Sequence, residues 1–195
     1  PRYRRALWVA LFVNLLMFGV ELVAGWNAGS ASLLADAVDF FGDAANYALS
    51  LFVLTMGARI RARTALLKGV AMGVYGFYVL AQAAWNASTG VMPEAITMGA
   101  VGTLALIANV SVAALLYSFR GGDANMRSVW LCSRNDAIGN AAVLLAALGV
   151  LGTGSAWPDL IVAGVMGTLA LSAARQVITH ARIEIASSGD APAQS

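Results

Sequence analysis

Six apolar runs, each about the twenty residues or more that a hydrocarbon core requires of a helix, can be read at 6–27, 30–56, 66–86, 91–119, 128–151 and 158–179. They occupy nearly all of the 195 residues, and a chain that is 59% hydrophobic and 11% charged lies outside the usual range of soluble domains. The expected fold is an all-α membrane protein of six transmembrane helices. The first run follows basic residues as a secretory signal would, but it is too long for one and carries Glu21, so it is read as a retained helix. No soluble catalytic domain of ordinary size fits in what remains. Residues 186–195 are small, polar and proline-containing, and read as a disordered tail.

The basic residues orient the runs. Arg2, Arg4 and Arg5 precede the first; Arg59, Arg61, Arg63 and Lys68 fall around the junction of the second and third; Arg120, Arg127 and Arg134 around that of the fourth and fifth; Arg175 and Arg182 close the sixth. The opposite connections, 26–32, 87–94 and 152–159, contain no Lys or Arg. The positive-inside rule therefore places both termini in the cytoplasm, in what reads as a cytoplasmic (inner) membrane. The net charge of +2 describes orientation, and a nucleic-acid partner is not expected. The lone Cys132 excludes an intramolecular disulfide framework.

Charge inside lipid is expensive: a carboxylate near the centre of a span costs roughly 2.5–3.5 kcal/mol. The second run nonetheless carries Asp36, Asp39 and Asp43, which with Asn46 and Ser50 recur at intervals of three and four and make one polar stripe. Asn14 and Glu21 share a face of the first run, Cys132, Asp136 and Asn140 repeat at four in the fifth, and Asn109 adds a polar group in the fourth. Helices one, two, four and five are thus expected to line a pathway. No intramembrane Lys is expected to neutralise Asp39, Asp43 and Asp136, which makes them the main candidates for binding a cation, protons or both. Glu21, Asp36, Asn14, Asn46 and Asn109 are pathway or proton-coupling candidates; structural acceptor roles for Glu21 and Asp36, and interhelical hydrogen bonding for the asparagines, stand beside that reading. Gly69, Gly73 and Gly76 in the third run, and Gly164 and Gly167 in the sixth, form small-residue faces suited to a scaffold or a dimer surface. Tyr75, Tyr78, Gln82 and Asn86 line another face of the third run, read with Trp85 as interfacial anchoring.

The stretch GSASLLADAVDFFGDAAN in the second run, with NDAIGN in the fifth, resembles the cation diffusion facilitator family of divalent-metal exporters. That family carries His or Asp followed four residues later by Asp in its second helix, matched by Asp39 and Asp43, and His-x-x-x-Asp in its fifth, matched by Cys132-Ser-Arg-Asn-Asp136. The resemblance implies a tetrahedral mid-membrane site of Asp39, Asp43, Asp136 and Cys132, opening alternately to each side and exporting metal in exchange for protons. With Cys132 in place of the usual imidazole, a thiolate favours zinc, cadmium or cobalt, while carboxylates also accept manganese or iron. The family's C-terminal metal-binding and dimerising domain has no counterpart after about Thr179, so a homodimer would be held by membrane helices. Depth strains the match: from the ends of the runs, Asp39 and Asp43 lie about 20–28 Å from the basic end and Cys132 only about 6–8 Å. A helix start near Asp123 narrows that gap; otherwise Asn140 completes the set with Asp136.

The function expected is efflux of divalent transition metals, zinc foremost with cobalt or cadmium, by proton antiport, with metal as cargo and no prosthetic group. An exporter of organic cations, and an assembly or sensor subunit whose carboxylates only stabilise packing, are the alternatives. An enzyme is not expected: no Ser/His or HExxH constellation exists, and His180 is the sole histidine.

Overall fold

The computed structural model describes residues 2–52, 58–119, 121 and 124–187, side chains excepted at 58, 61 and 124–135. Among the described residues six helices follow one another: α1 (Arg2–Ala28), α2 (Ala31–Phe52), α3 (Ala58–Thr89), α4 (Ala95–Tyr117), α5 (Ala124–Thr153) and α6 (Trp157–Ser187). Five include segments long and apolar enough to cross a membrane. The exception is α2, whose three aspartates lower its hydropathy although its 22 residues reach about 33 Å. Three boundaries differ from the apolar runs in ways that matter: the third helix begins at Ala58, eight residues before its run, and two others follow. The fifth helix begins at Ala124, four residues before its run, and the sixth continues to Ser187, so the start of the expected tail is helical. Residues 188–195, like Asp123, lie outside the described residues.

Helix direction follows from which ends pack together. Ala6, Leu7 and Ala10, early in α1, meet Tyr47 and Leu51, late in α2, and Val112 and Leu116, late in α4. Leu33 and Leu34, early in α2, join Met98 of α4, Val143 and Val150 of α5 and Met166 of α6. Consecutive helices therefore run antiparallel, and the described arginines of α1, α3 and α6 gather at one end of the bundle, here the arginine end.

The glycine faces of α3 and α6 meet within the chain. A Cβ added at Gly69 would lie 2.9 Å from Ile178 Cγ1, and one at Gly167 2.8 Å from Leu80 Cδ2, so side chains of each helix fill the space that a Cβ on the other would need. Gly164 is the exception, with nothing within 4 Å of that position.

The end opposite the arginines is joined by hydrogen bonds. Gly29 takes a positive φ of 63° to end α1, and the Ser30 amide reaches back to Gly25 O at 3.0 Å, a helix stop that needs a residue without Cβ strain. Ser30 Oγ then caps α2 by accepting from the Leu33 amide. Asn86 Nδ2 donates to Gly29 O at 2.9 Å, and the Glu94 amide donates to Ala28 O at 2.9 Å. Asn86 is buried and serves as a tie between α3 and the first turn, which corrects the anchoring role expected for it at the interface.

Candidate functional site

The α2 stripe faces protein along its length, because α2 packs against α1, α3, α5 and α6. Asp36 and Asp43 are buried, while Asp39, Asn46 and Ser50 are half-buried. The carboxyls of Asp43 and Asp136 approach to hydrogen-bonding distance across the α2–α5 contact. Two carboxyls bond only through a proton held by one of them, so this juxtaposition calls for a proton or a cation. Tyr47 Oη donates to Asp43 Oδ2 at 2.8 Å, whereas Asp136 Oδ2 is buried with no donor. Asp39 lies within electrostatic reach of both Asp36 and Asp43.

The register of α2 against α5 is set directly by two contacts, Asp43 with Asp136 and Asp36 with Asn140. The backbone of Cys132, four residues before Asp136, then lies about 6 Å further toward the arginine end, about one turn from the pair, as Asp39 lies about one turn from it on the other side. The Cys132 side chain itself lies outside the described residues. Among the described residues no three His, Cys, Asp or Glu side chains converge into a ready-made metal cluster. What the described structure assembles is the Asp43–Asp136 pair, with Asp39 one turn away.

A buried cation is present after all. Lys68 is on α3 inside a membrane-spanning segment and only 9% exposed; its ammonium donates to Asn46 Oδ1 and lies within electrostatic reach of Asp43. This corrects the expectation that no intramembrane lysine compensates the acidic residues. In the sequence Lys68 closes an arginine-rich connection, but α3 begins at Ala58 and carries it nearly three turns into the bundle.

Nearer the opposite end lies a second acidic pair. Glu21 of α1 is fully buried beside the Asp36 carboxyl, and neither Glu21 oxygen meets a protein donor. Asp36 Oδ2 accepts from Asn140 Nδ2, and Asn140 Oδ1 accepts from Asn109 Nδ2 at 2.8 Å. Asn140, the alternative fourth ligand, therefore has both polar atoms engaged by Asp36 and Asn109. Asn14 bonds within its own helix, donating to Ala10 O at 2.8 Å, rather than across helices.

Comparison with known proteins gives this arrangement its context. Residues 7–184 match the cation efflux transmembrane domain, which is nearly the whole chain. The chain belongs to the cation efflux family. Among curated proteins it is similar to a "Cadmium, cobalt and zinc/H(+)-K(+) antiporter" of Bacillus subtilis (strain 168), at 24% identity over 170 residues that cover 78% of this chain and 53% of the relative. The chain thus spans about half the length of that relative.

One acidic residue of this cation efflux domain escaped sequence reasoning as a structural element. Asp159 is in the first turn of α6, is 1% exposed, and accepts four hydrogen bonds: from Ser30 Oγ at 2.7 Å, Ser32 Oγ at 2.6 Å, the Ala31 amide at 2.9 Å and the Ser32 amide at 3.1 Å. It caps α2 from another helix, where the positive end of the α2 dipole favours an anion. The only hint in the sequence was an aspartate following Trp157-Pro158, placed in a connection, and the Ser-Ala-Ser it grips lies about 130 residues earlier.

Proposed function

We propose that this chain is a carrier, not an enzyme, that exports divalent transition-metal ions in exchange for protons, with zinc the leading cargo and cobalt or cadmium alternatives. The observation that carries this reading is the meeting of the Asp43 and Asp136 carboxyls inside the bundle, a pair that repels itself unless a proton or a cation lies between. Metal ligands must be deprotonated to bind, so loading the pair with metal expels the proton it holds, and unloading allows a proton to return. Asp39, one turn from Asp43, and Cys132, one turn from Asp136, would complete a four-ligand set of the N, O and S type that zinc accepts. The metals and protons named for the Bacillus relative agree with a site of this chemistry. Alternating access would rock the polar-lined helices against the α3–α6 unit, whose glycine contacts favour movement as one body. The arginine end would face the cytoplasm of the inner membrane.

The test is transport. Purified protein in liposomes under an imposed pH gradient is offered zinc, cobalt, cadmium and manganese, with Asp39, Asp43, Cys132 and Asp136 replaced singly. Loss of zinc movement is expected for Asp43→Ala and Asp136→Ala, at least roughly 100-fold, since even outer-shell changes cost 10–100-fold in affinity. Transport that survives all four replacements would sink the ligand set.

A further inference from the structure

The Glu21–Asp36 pair is not needed to hold metal, yet it is the most deeply buried acidic contact in the bundle. We propose that Glu21 and Asp36 form a separate proton-binding site on the side of the metal ligands away from the arginine end. Its coupling to metal rests on the reading of Asp39, Asp43 and Asp136 given above.

The geometry selects a proton over a metal ion. Glu21 is 0% exposed with no protein donor to either oxygen, and Asp36 Oδ1 also lacks one. The two carboxyls face each other, an arrangement that is favourable when one is protonated and donates to the other. A metal ion there would need further ligands, but the third wall presents Asn140 Nδ2, a donor, because Asn140 Oδ1 is already taken by Asn109. The amide chain from α4 through α5 to α2 steadies the Asp36 carboxylate in both states, so the proton is exchanged on Glu21. When Glu21 is protonated, its O–H donates to the Asp36 carboxylate; when the proton leaves, both are anions and Asp36 keeps the Asn140 bond.

The groups that bear on Glu21 are few. From α2 they are Asp36 and Asp39, and from α3 Tyr75, whose buried hydroxyl has no hydrogen-bond partner. From α4 it is neutral Asn109 through the amide chain, since the sole titratable side chain within that helix, Tyr117, lies at its arginine end. No cation among these favours an ionised Glu21. A dication bound one turn away at Asp39 would do so, which gives metal and proton opposite effects on each other across two sites.

Infrared difference spectroscopy of the full chain in nanodiscs, taken as pH is varied without metal, tests the site. A protonated-carboxyl carbonyl band is expected in the wild type, lost in Glu21→Gln and altered in Asp36→Asn, but retained in Asp43→Asn. Gln reproduces the shape of a protonated Glu, so Glu21→Gln is expected to fold, and Asp36→Asn supplies a second variant. An unchanged set of bands in both Glu21→Gln and Asp36→Asn would overturn the proposal. Zinc is then added: bleaching of the Glu21 band in the wild type but not in Asp43→Ala is the coupled result, and a band untouched by zinc that binds would refute the coupling. A wild type that binds no zinc would instead sink the metal reading, with the metal-free bands still deciding the proton site.

Discussion

Asp159 and Asp43 are both buried carboxylates set against α2, yet their surroundings differ in kind. Asp159 gathers four donors from two serines and two amides at the helix start. Asp43, about three turns further along, has one hydroxyl, the Asn46 side chain, a lysine at a distance and another carboxyl for company. A buried anion whose lone pairs are filled by fixed donors has no use for a mobile cation, and its role is structural. One that is short of donors and beside a second acid is incomplete, and a proton or metal ion completes it. Donor count, more than burial or charge, separates scaffold from site in this bundle.

The largest test of that contrast is Asp159→Ala. It removes a charged acceptor shared by four donors and leaves buried serines and amides unsatisfied, at a cost of about 3–5 kcal/mol. Thermal or denaturant unfolding in detergent should show this loss equally with and without zinc. In Asp43→Ala the pattern should reverse, with little loss of metal-free stability and no stabilisation by zinc. Equal behaviour of the two variants would erase the distinction.

The same contrast explains how much of the molecule was legible beforehand. Apolar runs disclose membrane helices because lipid imposes length and hydropathy, and the three- and four-residue spacing of Asp36, Asp39 and Asp43 follows from helical geometry alone. Partners from distant segments are another matter. That Asn140 would turn to Asp36, that Asp159 would cap a helix about 130 residues earlier, and that Lys68 would reach Asn46 depend on how six helices pack. Helix ends are less legible than helix cores, and the level of Asp136 against Asp43 follows from the contacts between α2 and α5, not from where the apolar runs stop.

Lys68 offers a smaller perturbation of the incomplete region. Its ammonium and an incoming dication are of like sign near Asp43, so its charge opposes metal binding while it partly compensates the empty site. Lys68→Met should tighten zinc binding about tenfold, roughly 1.4 kcal/mol, as read by calorimetry, while Lys68→Arg should stay near the wild type. Weaker zinc binding in Lys68→Met would mean that the lysine organises the ligands through Asn46 and does not compete with the metal.

Tyr47→Phe is the finest test, because it removes one donor from Asp43 and leaves the ring in the core at the arginine end. Loss of that 2.8 Å bond should cost about 1 kcal/mol in the metal-free protein, well below the effect of Asp159→Ala. Zinc is expected to restore most of the difference, since a bound cation supplies the charge compensation that the hydroxyl gave. The stability deficit of Tyr47→Phe should therefore shrink as zinc is titrated, whereas that of Asp159→Ala should not. A deficit independent of zinc would move Tyr47 and its bond to Asp43 from the incomplete region into the scaffold, and with them the boundary drawn along α2.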